Sequence, residues 1–141
     1  MVCYRKHYGK AWLCIDLYPQ IDYNDDMKEN KLLSLSQGFA VDIINLANQI
    51  KNKKEYSLAD QLKRSGTSIS ANIAEGNYPQ SRADMISKFE IALKEANETD
   101  NWLKILVDSN IITCDAATPF CNKLVKIKIL LIKSIKTLKN Q

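Results

Sequence analysis

The sequence predicts an all-α protein: an antiparallel up-down four-helix bundle with an N-terminal extension that does not conform to it. Three observations lead there. The 141 residues contain only four Gly and three Pro, too few breaks for a loop-rich or all-β fold. Four successive stretches between Ser34 and Lys139 repeat apolar residues every three or four positions, the period of a helix buried on one side. Short polar connections separate them, and short connections make neighbouring helices antiparallel. The length suits one domain with a real core.

Residues 1–26 form the non-conforming extension and residues 27–141 the bundle. The extension is rich in aromatics (Tyr4, Tyr8, Trp12, Tyr18, Tyr23), contains Pro19 and ends in an Asp-rich stretch without a sustained helical stripe. Met27 follows at once, and MKENKLLSLSQGF reads as a natural start. Two readings stand side by side: a stretch upstream of an initiator at Met27, or an arm that packs its aromatics on the bundle or on a neighbouring subunit. Arg5, Lys6 and Lys10 precede AWLCI, but five apolar residues are too few for a signal-peptide core. No apolar run approaches the ~20 residues of a membrane span, so a cytoplasmic protein is expected.

The first helix is expected from about Ser34 to Lys51, with Leu35, Phe39, Ile43, Leu46 and Ile50 as its stripe and Ala40, Ile44 and Ala47 widening it. The connection KNKKEY is charged and reads as solvated. The second helix is expected over Ser57–Gly76, SLADQLKRSGTSISANIAEG. Ser57 and Asp60 have the spacing of a capping pair, and Leu58, Leu62, Ser65, Ile69 and Ile73 share one face. Gly76 stands where a left-handed residue would end the helix. Small and polar residues crowd its middle, from Ser65 to Asn72, and would let a neighbouring helix come close. Ser68, Asn72 and Glu75 are expected to form a buried polar network. RSGTS lacks the glycines and lysine of a phosphate-binding loop and follows no strand, so it is read as a packing surface.

The third helix should open at Ser81 with Asp84 three residues on, a second capping pair. Met85, Phe89, Ala92, Ala96, Thr99, Leu103 and Leu106 keep a heptad face, which favours packing at about 20°. Glu90, Glu95, Glu98, Asp100 and Asp108 make it acidic. The fourth helix should begin between Asp115 and Thr118, with Thr118 before Pro119 as cap and first turn, and end near Lys139. Leu124, Ile127, Leu131, Ile135 and Leu138 form its core stripe. Val125, Ile129 and Ile132 form a second stripe, roughly 100° round the helix at about 100° per residue. A surface helix needs only one apolar face, so these three residues are the candidate oligomer interface.

Two segments carry a family resemblance. QLKRSGTSISANIAEG, ending at Gly76, resembles the signature of the bacterial four-helix-bundle family associated with 23S rRNA intervening sequences. FEIALKEANETDNWLKIL, Phe89 to Leu106, resembles that family's third helix, and the likeness covers roughly Leu35 to Gln141. The resemblance implies a ring-like homopentamer. It is also similar to the accessory protein of diversity-generating retroelements, a basic pentamer that partners a reverse transcriptase and nucleic acid.

Charge narrows the function. Three of 20 basic and four of 16 acidic residues precede Met27, leaving 17 against 12 in the bundle. The fourth helix holds Lys123, Lys126, Lys128, Lys133, Lys136 and Lys139, and no acid follows Lys123. Lys123, Lys126, Lys133 and Lys136 are the candidate phosphate-contacting residues; such contacts position a nucleic-acid backbone without reading its sequence. Against this stands a plain structural role, in which lysines oppose the helix dipole and pair with the acidic third helix. Catalysis finds no support. Cys3, Cys14, Cys114 and Cys121 form no C-x-x-C pair, and the only histidine, His7, lies outside the bundle. Helical-bundle ribonucleases of the HEPN type need an R-x(4–6)-H motif and di-iron bundles need E-x-x-H, and from Met27 onward there is no histidine. No metal, cofactor or small-molecule substrate is expected. The sequence reads as a non-enzymatic homo-oligomer that associates with RNA or DNA through helix four, or alternatively as an oligomeric protein-interaction scaffold that binds no nucleic acid.

Overall fold

A computed structural model describes residues 31–140 of the chain. Both readings of residues 1–26 fall outside the described residues. Four α-helices follow in order: α1 Lys31–Asn52, α2 Tyr56–Gly76, α3 Arg82–Asp108 and α4 Cys114–Asn140. Each packs on its sequence neighbours, α1 also meets α4, and the diagonal pairs have no close backbone approach. The ion pairs fix the direction: Glu90 and Asp100 of α3 meet Lys139 and Lys128 of α4, so the two helices run antiparallel. This is the expected all-α four-helix bundle.

The helical stripes face inward. Phe39, Ile43 and Ile50 of α1, Leu62, Ile69 and Ile73 of α2, Leu103 and Leu106 of α3, and Leu124, Ile127 and Leu131 of α4 are fully buried. Burial of such side chains contributes on the order of 1.5–3 kcal/mol each, the main favourable term. The α3 heptad face is buried except at Met85, which is half-buried. The α1 seam is turned slightly from the expected one: Leu32 and Ser36 are buried and Leu35 only half-buried.

The helix ends depart from expectation in three places. α2 begins before Ser57: Glu55 precedes its first turn and makes no side-chain capping bond. The reason lies in the preceding turn, where Lys54 takes a left-handed backbone (φ 65°) and closes α1, so the chain is helical again by Tyr56. Gly76 is needed for space and not for a left-handed turn, since Asn77 continues right-handed at φ −78°. A Cβ at Gly76 would lie 2.6 Å from Cε1 of Phe89. α4 begins at Cys114, with Thr113 Oγ1 accepting from the Ala116 N–H at 3.1 Å, so Pro119 lies inside the helix. Proline there costs one backbone bond, but buried Ile112 and Ala117 hold the turn on the bundle. α3 begins as expected, with Ser81 Oγ accepting from the Asp84 N–H at 3.1 Å, and ends in a Schellman motif. Asn110 is left-handed (φ 59°) there, and the Ile111 and Asn110 N–H groups donate to the Leu106 and Val107 carbonyls, both at 2.9 Å.

Candidate interaction surface on the C-terminal helix

The neighbours of α4 decide which of its lysines are available. Lys123 reaches α1 and pairs with Asp42. Lys128 pairs with Asp100 at 2.6 Å and Lys139 with Glu90 at 2.6 Å, both on α3. Half of the helix-four lysines thus do what the plain structural reading expects. Lys126, Lys133 and Lys136 are exposed, and none of the ion pairs among the described residues involves them. Of the four candidate phosphate contacts, three therefore present an uncompensated ammonium on one outward face, and Lys123 is partly neutralised.

The second apolar stripe lies on the same face. Val125, Ile129 and Ile132 are 53%, 47% and 40% exposed. With 3.6 residues per turn, Ile129 falls between Lys126 and Lys133 on one side and Val125, Ile132 and Lys136 on the other. The two candidate sets thus form one mixed surface, apolar with three cations interleaved.

The buried polar contact is not where the sequence reading put it. Ser68 and Asn72 are half-buried and Glu75 is exposed. Asn72 Nδ2 donates back to the Ser68 carbonyl at 2.9 Å within α2, and Glu75 pairs with Lys88. Residues 68, 72 and 75 sit at the edge of α2 because the buried seam runs through Ser65, Ile69 and Ile73. The polar pair in the core is Ser65 and Thr99, both fully buried, with their hydroxyls 2.9 Å apart. Each also lies within hydrogen-bond reach of a carbonyl of its own helix, Leu62 and Glu95 respectively. Membership of the two apolar stripes was the signal that could have found this pair.

Two partly buried titratable groups are shifted from their ordinary values. Burial raises the Glu95 carboxyl above its ordinary value, and the nearby Glu98 raises it further. Burial likewise pushes the Cys121 thiol up, with the Asp100 carboxylate adding to it, so it is a poor nucleophile near neutral pH. Cys121 and exposed Cys114 stand seven residues apart on α4, about 10 Å along the axis, too far to bridge without unwinding it. They line a shallow, open groove between α3 and α4 with Asp100, Val107 and Ala117. Among the described residues no group of three or more His, Cys, Asp or Glu side chains is placed to hold a metal ion. No helix among them is long and apolar enough to cross a membrane.

Comparison with known proteins agrees with this architecture. The family model of the 23S rRNA-intervening sequence protein matches residues 28–133. A crystal structure at 1.70 Å of a protein of unknown function from the S23 ribosomal protein family of Bacteroides thetaiotaomicron is similar, with 46% sequence identity and a TM-score of 0.73. The match covers 74% of this chain and 98% of that one. No curated protein gives a significant match.

Proposed function

We propose that this chain, which belongs to the 23S rRNA-intervening sequence protein family, is a non-enzymatic, self-associating protein that holds RNA or another nucleic acid by its phosphates. The observation that carries the reading is the outward face of α4, where Lys126, Lys133 and Lys136 stand exposed without a carboxylate partner among the described residues. Unpaired ammoniums release condensed counterions when they meet phosphate, and three per copy give a log–log salt slope of about −2 to −3 per copy. Self-association would repeat this face and multiply that term. The family description ties it to ribosomal RNA. Among the described residues no stacking platform of aromatic side chains accompanies the lysines, which points to binding without strong sequence preference. The non-enzymatic part rests on the absence of histidine from Met27 onward.

The test is RNA binding by the purified chain across a salt series, with assembly mass recorded in the same samples. Lys126→Glu with Lys133→Glu should abolish binding and leave both helicity and assembly unchanged. Unchanged affinity in that variant would reject the site. A second reading, a protein-interaction scaffold, is favoured by the apolar residues set among the lysines, Val125, Ile129 and Ile132. Absence of RNA binding by the parent at low salt would decide for it.

A further inference from the structure

Of the glycines inside the helices, two have an internal reason. Gly66 admits Ile43 and Gly76 admits Phe89, and a Cβ at either would approach those side chains to 2.6 Å. Gly38 has no such reason among the described residues: a Cβ there would meet none of them within 4 Å. Glycine in mid-helix weakens a helix relative to alanine, so its position invites an external explanation. Gly38 stands on the outward face of α1 with Ser34, Val41, Asn45 and Asn48, all exposed, and Val41 is 57% exposed.

Apart from Lys31 at its N-terminal end, that face carries no charge. Between Lys31 and Lys51 the only charged residue is Asp42, and it is turned toward α4 to pair with Lys123. The exposed residues of the other helices include Asp60 and Arg64 on α2, Lys94 and Asp108 on α3, and Lys126 on α4. Depletion of charge is the compositional mark of an interface core.

We infer that the Val125, Ile129 and Ile132 strip of one copy seats on the outward face of α1 of a second copy, over Gly38. The inference rests on the self-association proposed above and names the surface that receives the strip. Electrostatics selects this occupant. Packing α4 on α4 would bring Lys126, Lys133 and Lys136 of both copies together, six like charges at one contact. The outward face of α2 would press Asp60 or Arg64 on the apolar strip, and that of α3, which also exposes Ile91 and Ile105, would press Lys94 on it, stripping a charge of water. The α1 face does neither. The missing side chain at Gly38 leaves room for Ile129.

The two faces of one chain cannot satisfy each other. Val125 and Ile132 are the i−3 and i+4 neighbours of Lys128, which pairs with Asp100, so the strip lies on the α3 side of α4. Helix α1 lies on the other side, where Lys123 meets Asp42. The contact is therefore head-to-tail, each copy offering its strip to one neighbour and its α1 face to another.

Sedimentation velocity on the full chain tests this, with circular dichroism as the folding control. The variants are Gly38→Leu, Val41→Asp and Ile129→Asp, each alone and in equal mixture. Each alone should be monomeric with parental helicity. Gly38→Leu mixed with Ile129→Asp should give a two-chain species, since each variant keeps one intact face. If Gly38→Leu and Val41→Asp assemble as the parent does while Ile129→Asp does not, the α1 seat is wrong and the role of the strip survives. If all variants assemble like the parent, or the parent itself is monomeric, both the seat and the proposed self-association through α4 fall. A mixture that stays monomeric overturns the head-to-tail arrangement. Should Gly38→Leu lose helicity, Val41→Asp in the same mixture decides.

Discussion

Gly66→Ala sets two opposed effects against each other, and the structure says which wins. Alanine is the better helix former by about 1 kcal/mol. Its Cβ, however, would lie 2.6 Å from Cγ2 of Ile43, 3.0 Å from Cγ1 and 3.1 Å from Cβ. None of these is the far end of a flexible chain. Ile43 is fully buried, and its branch at Cβ holds it to one strongly preferred rotamer in a helix. Relief requires α1 and α2 to part, and overpacking of this kind costs about 1–3 kcal/mol. A 2.6 Å contact puts the cost toward the upper end of that range, so the net loss is about 1–2 kcal/mol. For a chain of this length that lowers Tm by roughly 3–8 °C. Urea unfolding followed by circular dichroism measures it, at one protein concentration because the proposed self-association would make stability concentration-dependent. Ile43→Ala opens the space the new methyl needs. The double variant should therefore lose less than the two single losses added, by about 0.5–3 kcal/mol of coupling. A Gly66→Ala chain as stable as the parent, or more so, would refute the close approach of the two helices at this point.

Two other substitutions test the interior. Ser65→Ala and Thr99→Val should each cost about 1 kcal/mol, the ordinary net value of a hydrogen bond. The pair together should cost less than the sum because their mutual bond is lost only once; additive losses would mean that each hydroxyl is held by its own helix alone. Glu95→Gln tests the raised carboxyl. The folded state binds this proton more tightly than the unfolded state, so stability falls as pH rises from the ordinary value of 4.5 through the raised one. Removing the charge should raise the urea midpoint at neutral pH relative to the parent and flatten that pH dependence, with the two proteins converging in behaviour below 4.5. A variant less stable than the parent at neutral pH would show that the ionised carboxylate is stabilising there.

The helices were legible because their cause is local. Phe39, Ile43 and Ile50, or Phe89, Ala96 and Leu103, repeat at helical spacing within one stretch of chain, and the side that carries them is the side that is buried. Ser65 and Thr99 were legible as seam positions for the same reason, and Ser81 as a cap because Asp84 stands three residues on. Several local rules gave way to packing. Ser57 is not the cap of α2, Pro119 does not open α4, and Gly76 serves Phe89 and not a left-handed turn.

What only the tertiary structure decided is which side chains meet. Six lysines of α4 look alike in the sequence, yet Asp42, Asp100 and Glu90 engage three, and among the described residues Lys126, Lys133 and Lys136 stand exposed in no ion pair. The partners lie 28 to 81 residues away along the chain. The period of a helix tells which face is apolar, because that depends on neighbours within two turns. It does not tell which charged residue of a distant helix will stand opposite, because that depends on the order and direction in which four helices close around one core.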